Sequence, residues 1–170
     1  MKSIDASKVA LCMQCQVCGA ACTAAPVNGL RPRDMVLKAA AGNEHLHEGP
    51  EPWMCVTCYA CAEQCRAGVD ITGLFYELRN RAAASGRIPA PYRAVAKQVL
   101  GTGCAFPVTG HTRRMRESLG LPAFAVSPKG VEELASLCRT AGMPDLDAKA
   151  PAADFPAEAG TVPARAGKEA

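Results

Sequence analysis

The sequence predicts a mainly α-helical protein that carries two cysteine-rich loops. Three observations lead to this fold class. A C-x2-C-x2-C-x3-C pattern occurs twice within the first 65 residues. Several later stretches place apolar residues at intervals of three and four, which is the spacing of one helix face. The spacer between the two cysteine patterns lacks the strict alternation of apolar and polar residues that indicates a half-exposed strand.

The cysteine pattern is an internal repeat with a period of 43 residues. The first set is Cys12, Cys15, Cys18 and Cys22, and the second set is Cys55, Cys58, Cys61 and Cys65. Two residues between cysteines allow a tight loop to reach three corners of one four-iron, four-sulfide cubane. Bacterial proteins with two [4Fe–4S] clusters space their cysteines in this way. The sequence therefore predicts two [4Fe–4S] clusters.

The fourth cysteine of each set has a different role from the first three. In bacterial two-cluster proteins it ligates the other cluster. One cluster is then held by Cys12, Cys15, Cys18 and Cys65, and the other by Cys55, Cys58, Cys61 and Cys22. This exchange joins the two halves of the repeat and places the clusters close together. Close clusters pass electrons, so electron conduction through the chain is the expected function.

Three other uses of the cysteines stay open as alternatives. A disulfide framework suits a small secreted chain, but paired triplets are poor disulfide geometry. Structural zinc uses two C-x2-C pairs per ion, yet it leaves the additional C-x3-C step unexplained. A two-iron cluster is the third alternative.

Length and composition set the broad class of protein. The chain has 170 residues, and we predict one domain over 1–143 and an Ala- and Pro-rich, disordered or extended tail over 144–170. The formal net charge of +3 falls to about −1 when two clusters of about −2 each are counted. With few aromatic residues as well, the composition gives no support for nucleic-acid binding.

The expected compartment is the cytoplasm. The N-terminus has no apolar run typical of a secretory signal, and no stretch is long and apolar enough to span a bilayer. We therefore expect no direct membrane insertion. Ten cysteines in a reducing compartment favour metal binding over disulfides.

One helix and a polar loop are predicted between the two cysteine sets. Pro32 fits the first helical position, Asp34 lies in the first turn and Gly42 follows the end, which predicts a helix over 32–41. The polar segment 42–52 is predicted to be a loop that leads back to the second set.

Helices are also predicted downstream, over residues 72–85, 91–100, 111–119 and 128–141. Thr72 is expected to be the N-cap of the first of these. In the short basic helix over 111–119, Met115 and Leu119 are expected to face the core. Two cysteines outside the repeat, Cys104 and Cys138, have no cysteine close in sequence, and we expect them to be structural thiols.

The cysteine blocks resemble those of the C subunit of heterodisulfide reductase. Residues 53–72 (WMCVTCYACAEQCRAGVDIT) resemble the second cluster loop of that family, and 78–80 also match. The segments 102–107 and 116–121 match in character, so the resemblance covers about residues 8–143. One departure is that Thr23 and Arg66 follow the fourth cysteines, where the family commonly has proline. Arg66 either donates toward cluster sulfur or is an ordinary solvated side chain.

The resemblance implies an α-helical ferredoxin fold with two [4Fe–4S] clusters on the eight cysteines named above. It also implies a subunit that relays electrons between a flavin-bearing A subunit and a catalytic B subunit. In the B subunit, clusters on CCG motifs handle thiol and disulfide chemistry. This chain has no CCG motif, so we expect no catalytic site in it.

The resemblance leaves the pathway open. The same subunit occurs in heterodisulfide-reductase-like complexes of sulfur oxidation. Two alternatives are an iron–sulfur subunit of a quinone-linked dehydrogenase, such as succinate dehydrogenase or glycolate oxidase, and a zinc-stabilised interaction module.

Overall fold

A computed structural model describes residues 6–147 of the chain. Every regular element within this range is helical, as the sequence predicts. The described residues form two compact units, 6–87 and 88–147. The grouping of residues 1–143 into one domain stays a prediction, and most of the predicted tail lies outside the described residues.

The first unit contains both cysteine sets. Its elements are α1 (Ala6–Ala10), α2 (Val17–Ala20), α3 (Ala25–Asn28), α4 (Pro32–Ala40), a 3₁₀-helix (Glu44–His47), α5 (Glu51–Met54), α6 (Ala60–Glu63) and α7 (Ile71–Ala84). The two longest helices, α4 and α7, contact each other, and their buried side chains supply much of the core. These include Met35, Val36, Phe75 and Leu78, each at most 2 % exposed.

Helix α4 confirms the helix predicted over 32–41. Pro32 occupies the first turn, where its missing N–H leaves no hydrogen bond unmade. The helix ends at Ala40, and Gly42 follows in a left-handed conformation with φ of 76°.

The prediction of a plain loop over 42–52 is wrong in part. The segment contains the 3₁₀-helix, and α5 begins within it. Asn43 starts the 3₁₀-helix by accepting a hydrogen bond from the backbone N–H of His45, at 3.0 Å. Leu46 is buried in the core cluster, which holds this short helix in place although its other residues are polar.

Helix α7 matches the helix predicted over 72–85 but has a different cap. The Asp70 carboxylate accepts a hydrogen bond from the backbone N–H of Gly73 at 2.8 Å. Thr72 lies inside the helix and is 1 % exposed, so the prediction of Thr72 as N-cap is wrong. Aspartate is as good a cap as threonine, and it comes two residues earlier in the chain.

The internal repeat extends from the cysteines to the helices. Helices α2 and α6 lie 43 residues apart at both ends. Helices α1 and α2 pack on α4, and α5 and α6 pack in the same way on α7. Helices α2 and α6 also contact each other. The first unit is therefore two related halves, each with a cysteine loop on one long helix.

The second unit contains α8 (Ala90–Thr102), α9 (Gly110–Ser118) and α10 (Pro128–Thr140). Helix α8 packs against α10. Residues 144–147, at the start of the predicted tail, belong to this unit: Leu146 is 6 % exposed and Lys97 pairs with Asp147.

Helix α9 corrects one expectation about the second unit. Met115 and Leu119 are 51 % and 67 % exposed, so the prediction that they face the core is wrong. The helix is short and mostly polar, and two apolar side chains do not anchor it. Arg116 does so instead, because its guanidinium donates to the Pro122 carbonyl at 2.9 Å and lies over the Phe124 ring.

Candidate iron–sulfur centres

The two cysteine loops share an unusual backbone conformation. Among the described residues, positive φ at non-glycine positions occurs only at Gln14 (57°), Gln16 (67°), Thr57 (52°) and Tyr59 (62°). These form two pairs 43 residues apart, on either side of the second cysteine of each set. A left-handed non-glycine residue costs about 1 kcal/mol or more. Both loops therefore carry the same strain, which closes them tightly enough to gather three cysteines.

The eight cysteines are divided four and four between two cavities. The first cavity is lined by Cys12, Cys15, Cys18 and Cys65, and the second by Cys22, Cys55, Cys58 and Cys61. Each cavity takes three cysteines from one loop and the fourth cysteine of the other set. The structure thus places all eight predicted site residues in cavity walls, four in each cavity.

Two hydrogen bonds reach the thiols of the first cavity. The Gln14 side-chain amide donates to Cys12 Sγ at 3.3 Å, and the Val69 backbone N–H donates to Cys65 Sγ, also at 3.3 Å. Donors of this kind stabilise the charged form of the thiol and orient the ligand. Gln14 is able to reach back to Cys12 because its own backbone is left-handed, two residues further on.

Two further hydrogen bonds reach the thiols of the second cavity. The Thr57 backbone N–H donates to Cys55 Sγ at 3.4 Å. The Thr23 hydroxyl donates to Cys58 Sγ at 3.4 Å. Thr23 directly follows Cys22, so this contact links the end of the first cysteine set to the loop of the second.

Known proteins with similar sequences carry iron–sulfur clusters. Residues 8–69, which include both cysteine sets, match the family model of the 4Fe-4S dicluster domain. The C subunit of the ferredoxin/F420H2-dependent CoB–CoM heterodisulfide reductase of Methanosarcina acetivorans is 32 % identical over 142 residues, covering 81 % of this chain and 88 % of the relative. The second iron–sulfur C subunit of the CoB–CoM heterodisulfide reductase of Methanocaldococcus jannaschii is 34 % identical over 143 residues, covering 82 % and 74 %.

A third relative agrees with these two. The C2 subunit of the H2/formate:CoB–CoM heterodisulfide,ferredoxin reductase of Methanococcus maripaludis is 31 % identical over 139 residues, covering 79 % of this chain and 76 % of the relative. The chain belongs to the family of heterodisulfide reductase C subunits. It is an iron–sulfur electron-transfer subunit with [4Fe–4S] clusters, and the names of its relatives imply that further subunits exist. Within residues 6–147, none of the helices is both long and apolar enough to cross a membrane.

The thiols of this heterodisulfide reductase family member differ in how readily they ionise. Burial raises the pKa of the Cys18, Cys55 and Cys61 thiols. The pKa of Cys58 is lowered, first by the hydrogen bond from the Thr23 hydroxyl. Each loop therefore has its third cysteine in the protein interior, whereas Cys58 is an exposed thiol that forms a thiolate more easily.

The spacing of the potential ligand side chains can be compared with the spacing that a single metal ion requires. Among the residues that the structure describes, no group of three or more His, Cys, Asp or Glu side chains is placed to hold one metal ion. Thiolates around one zinc ion lie within about 4 Å of each other, because each Zn–S bond is about 2.3 Å. Thiolates on the corners of a cubane stand farther apart.

An arginine clamp fixes the start of the second loop. The Arg79 guanidinium, on α7, donates to the Pro52 carbonyl at 2.7 Å and to the Cys55 carbonyl. It also lies over the Trp53 ring, 5.9 Å from the ring centre. The clamp ties α5 and the first cysteine of the loop to the long helix. The sequence analysis missed it, since nothing in the local pattern marks Arg79 as a contact to carbonyls 24 and 27 residues away.

Three other residues from the sequence analysis fall outside the two cavity walls. Cys104 and Cys138 belong to the second unit and are half-buried thiols. Arg66 is exposed and is not part of either wall.

Proposed function

We propose that this chain holds two [4Fe–4S] clusters in a heterodisulfide-reductase-like complex, with the α-helical ferredoxin fold that its sequence resembles. One cluster is held by Cys12, Cys15, Cys18 and Cys65, and the other by Cys55, Cys58, Cys61 and Cys22. The chain relays electrons in the cytoplasm between a flavin-bearing A subunit and a catalytic B subunit that handles thiols and disulfides.

One observation carries the proposal: the crossed arrangement of the fourth cysteines. Cys65 lines the cavity of the first loop, and Cys22 lines the cavity of the second. Bacterial ferredoxins with two clusters exchange their fourth ligands in this manner. A single two-iron centre uses four cysteines and gives no reason for a second, crossed set of four.

The donor set fits the proposed clusters. Soft thiolates suit iron–sulfur clusters, and each cavity wall offers four of them. The remainder of the second wall is mostly apolar, including Leu30, Pro32 and Phe75. Such surroundings limit the access of water from the buried side, and hydrogen bonds to sulfur are then a main influence on the cluster. A bound [4Fe–4S] cluster supplies one-electron chemistry, and the protein environment determines which cluster holds the electron.

The two cavities are close along the chain. Cys18 lines the first cavity and Cys22 the second, and α2 and a following turn join them. Four residues of helix rise about 6 Å. The ligands of the two cavities are therefore about one helical turn apart, which suits electron transfer between clusters.

Anaerobic reconstitution with iron and sulfide tests this function. We expect about eight iron and eight acid-labile sulfide atoms per chain, together with broad absorbance in the blue region. The double variant Cys104→Ser/Cys138→Ser is the matched control, because it removes two thiols outside the cavities and should keep the full iron content. Two tightly bound zinc ions without acid-labile sulfide would reject the proposal in favour of the zinc module.

Isolation of the native complex tests the partners. We expect a flavoprotein and a subunit with CCG motifs to co-purify with this chain. A membrane anchor in place of the CCG subunit would support the quinone-linked alternative. The role in sulfur oxidation stays a prediction, since the relatives described above are named for CoB–CoM heterodisulfide.

A further inference from the structure

The walls of the two cavities differ in charge. Apart from the cysteines, the side chains of the second wall are all uncharged, whereas the first wall includes the positively charged residue Arg33. Arg33 is the second residue of α4, directly after Pro32. Its side chain is 31 % exposed, so it lies partly in the protein and partly in solvent.

The buried part of Arg33 has a donor with no acceptor. Within the described structure, Nε is inaccessible to solvent and has no hydrogen-bond partner. The Asp34 carboxylate is 3.8 Å from Nε, which is beyond hydrogen-bond distance. An unsatisfied buried donor is destabilising, and more so when it is part of a charged group. Asp34 is thus a loose ion-pair partner of Arg33, and the buried Nε–H has no hydrogen-bond acceptor within the described structure.

The repeat does not require a cation at this position. Arg33 is the second residue of α4 and lines the first cavity; the second residue of α7, Thr72, lines the second cavity. The second half of the fold thus forms its cavity with a neutral residue at the equivalent place. The charge is a property of the first cavity alone, which argues against a purely structural reason for it.

We propose that Arg33 raises the reduction potential of the cluster in the first cavity relative to the cluster in the second. This inference rests on the proposed function. One-electron reduction takes a cubane with four thiolates from about −2 to about −3, with the electron supplied by the donor subunit or by dithionite in the experiment. Arg33 attracts the more negative state more strongly, which favours reduction of the cluster in its own cavity.

The sharpest test compares arginine variants inside and outside the cavity. The reconstituted full-length chain is titrated with dithionite, and both clusters are followed by EPR. The variants Cys15→Ser and Cys58→Ser, each expected to alter one signal, assign the two signals. Arg33→Gln should lower the equilibrium constant for reduction of the first-cavity cluster about tenfold, equivalent to about 59 mV. The second-cavity cluster should keep its potential.

Two further variants separate a local effect from net charge and from misfolding. Arg66→Gln removes one positive charge from an exposed position outside both walls and should leave both potentials unchanged. Arg33→Lys keeps the charge but loses the planar donor group, so a smaller fall of about threefold is expected at the same cluster. Arg33→Lys carries the test if Arg33→Gln fails to take up iron.

Three results would overturn the inference: equal shifts at both clusters, no shift in either Arg33 variant that takes up iron, or an Arg66→Gln shift as large as that of Arg33→Gln. Its failure is distinct from failure of the proposed function. A parent chain without two [4Fe–4S] clusters rejects the function. A parent chain with both clusters, but with potentials insensitive to Arg33, rejects only this inference.

Discussion

Cys18 and Cys22 lie about one helical turn apart, yet they line different cavities. The reason is local: α2 begins after the left-handed residue Gln16 and ends at Ala20, so the chain leaves the first loop as a short helix. That helix contacts its counterpart α6, which leads from Cys61 to Cys65 in the same way. Two short helices side by side therefore carry each fourth cysteine across to the opposite cavity.

The crossed ligands predict which single variants damage the same cluster. Cys22→Ser should change the EPR signal that Cys58→Ser changes, because both residues line the second cavity. It should leave the signal that Cys15→Ser changes, although Cys15 is closer to it in sequence. Cys138→Ser, outside both cavities, should preserve both signals and the full iron content. If Cys22→Ser and Cys15→Ser affect one common signal, the ligand sets are not crossed.

The Arg79 clamp predicts a selective loss of stability in the second half of the repeat. Arg79→Met leaves the carbonyls of Pro52 and Cys55 without their donor, and the free energy of unfolding should fall by about 2 kcal/mol. Arg79→Lys should rescue little, because one ammonium replaces a planar fork that reaches two carbonyls. Thermal unfolding measures the stability, and EPR during iron loss shows which cluster is released first.

The Arg79 experiment has a matched control on the protein surface. Arg66→Gln removes the same charge outside the clamp and should leave the melting temperature within about 1 °C. We expect Arg79→Met to release the second-cavity cluster before the first. Release of both clusters together, or of the first-cavity cluster alone, would show that the clamp does not act on the second loop.

The sequence was sufficient for the features that depend on spacing. The division of the eight cysteines between two cavities follows from a repeat that is visible in the chain. Helix α4 follows from Pro32, Asp34 and Gly42, which act on their own immediate neighbours. Helix α10 was predicted over 128–141 and is observed over Pro128–Thr140, with Ser127 as its cap. In each case, the physical cause lies within a few residues of its effect.

Features that depend on packing were not predictable in this way. Arg33 and Arg66 are both basic residues close in sequence to a cysteine or a proline, and only the folded chain places one in a cavity wall and the other in solvent. The left-handed backbone at Gln14 and Thr57 also could not be predicted from residue preferences, since neither residue type favours this conformation. Closure of the loop around its cysteines imposes it.

The start of α7 gives a prediction about an element that local pattern placed only approximately. Asp70→Ala removes the carboxylate that accepts from the Gly73 N–H, and it should lower the free energy of unfolding by about 1 kcal/mol. Asp70→Asn should restore most of the loss, because asparagine is an equally good N-cap. Chemical denaturation of the reconstituted protein measures both variants. Equal destabilisation by Ala and Asn would mean that the carboxylate charge, rather than capping, is what matters.

Removal of the clusters should affect the two units of the chain differently. The core of the first unit includes the buried Cys18 and Cys61 together with partly buried cysteines, so the clusters are expected to stabilise the packing of α4 and α7. The second unit has no cysteine in either cavity wall. After anaerobic treatment with an iron chelator, hydrogen exchange should accelerate by at least about tenfold in α4 and α7, and by much less in α8 and α10.

The double variant Cys104→Ser/Cys138→Ser should give the same pattern, which would exclude a contribution from the thiols of the second unit. Equal acceleration throughout residues 6–147 would instead indicate that the units unfold together, and unchanged exchange in α4 and α7 would indicate that the cysteine loops fold without their clusters.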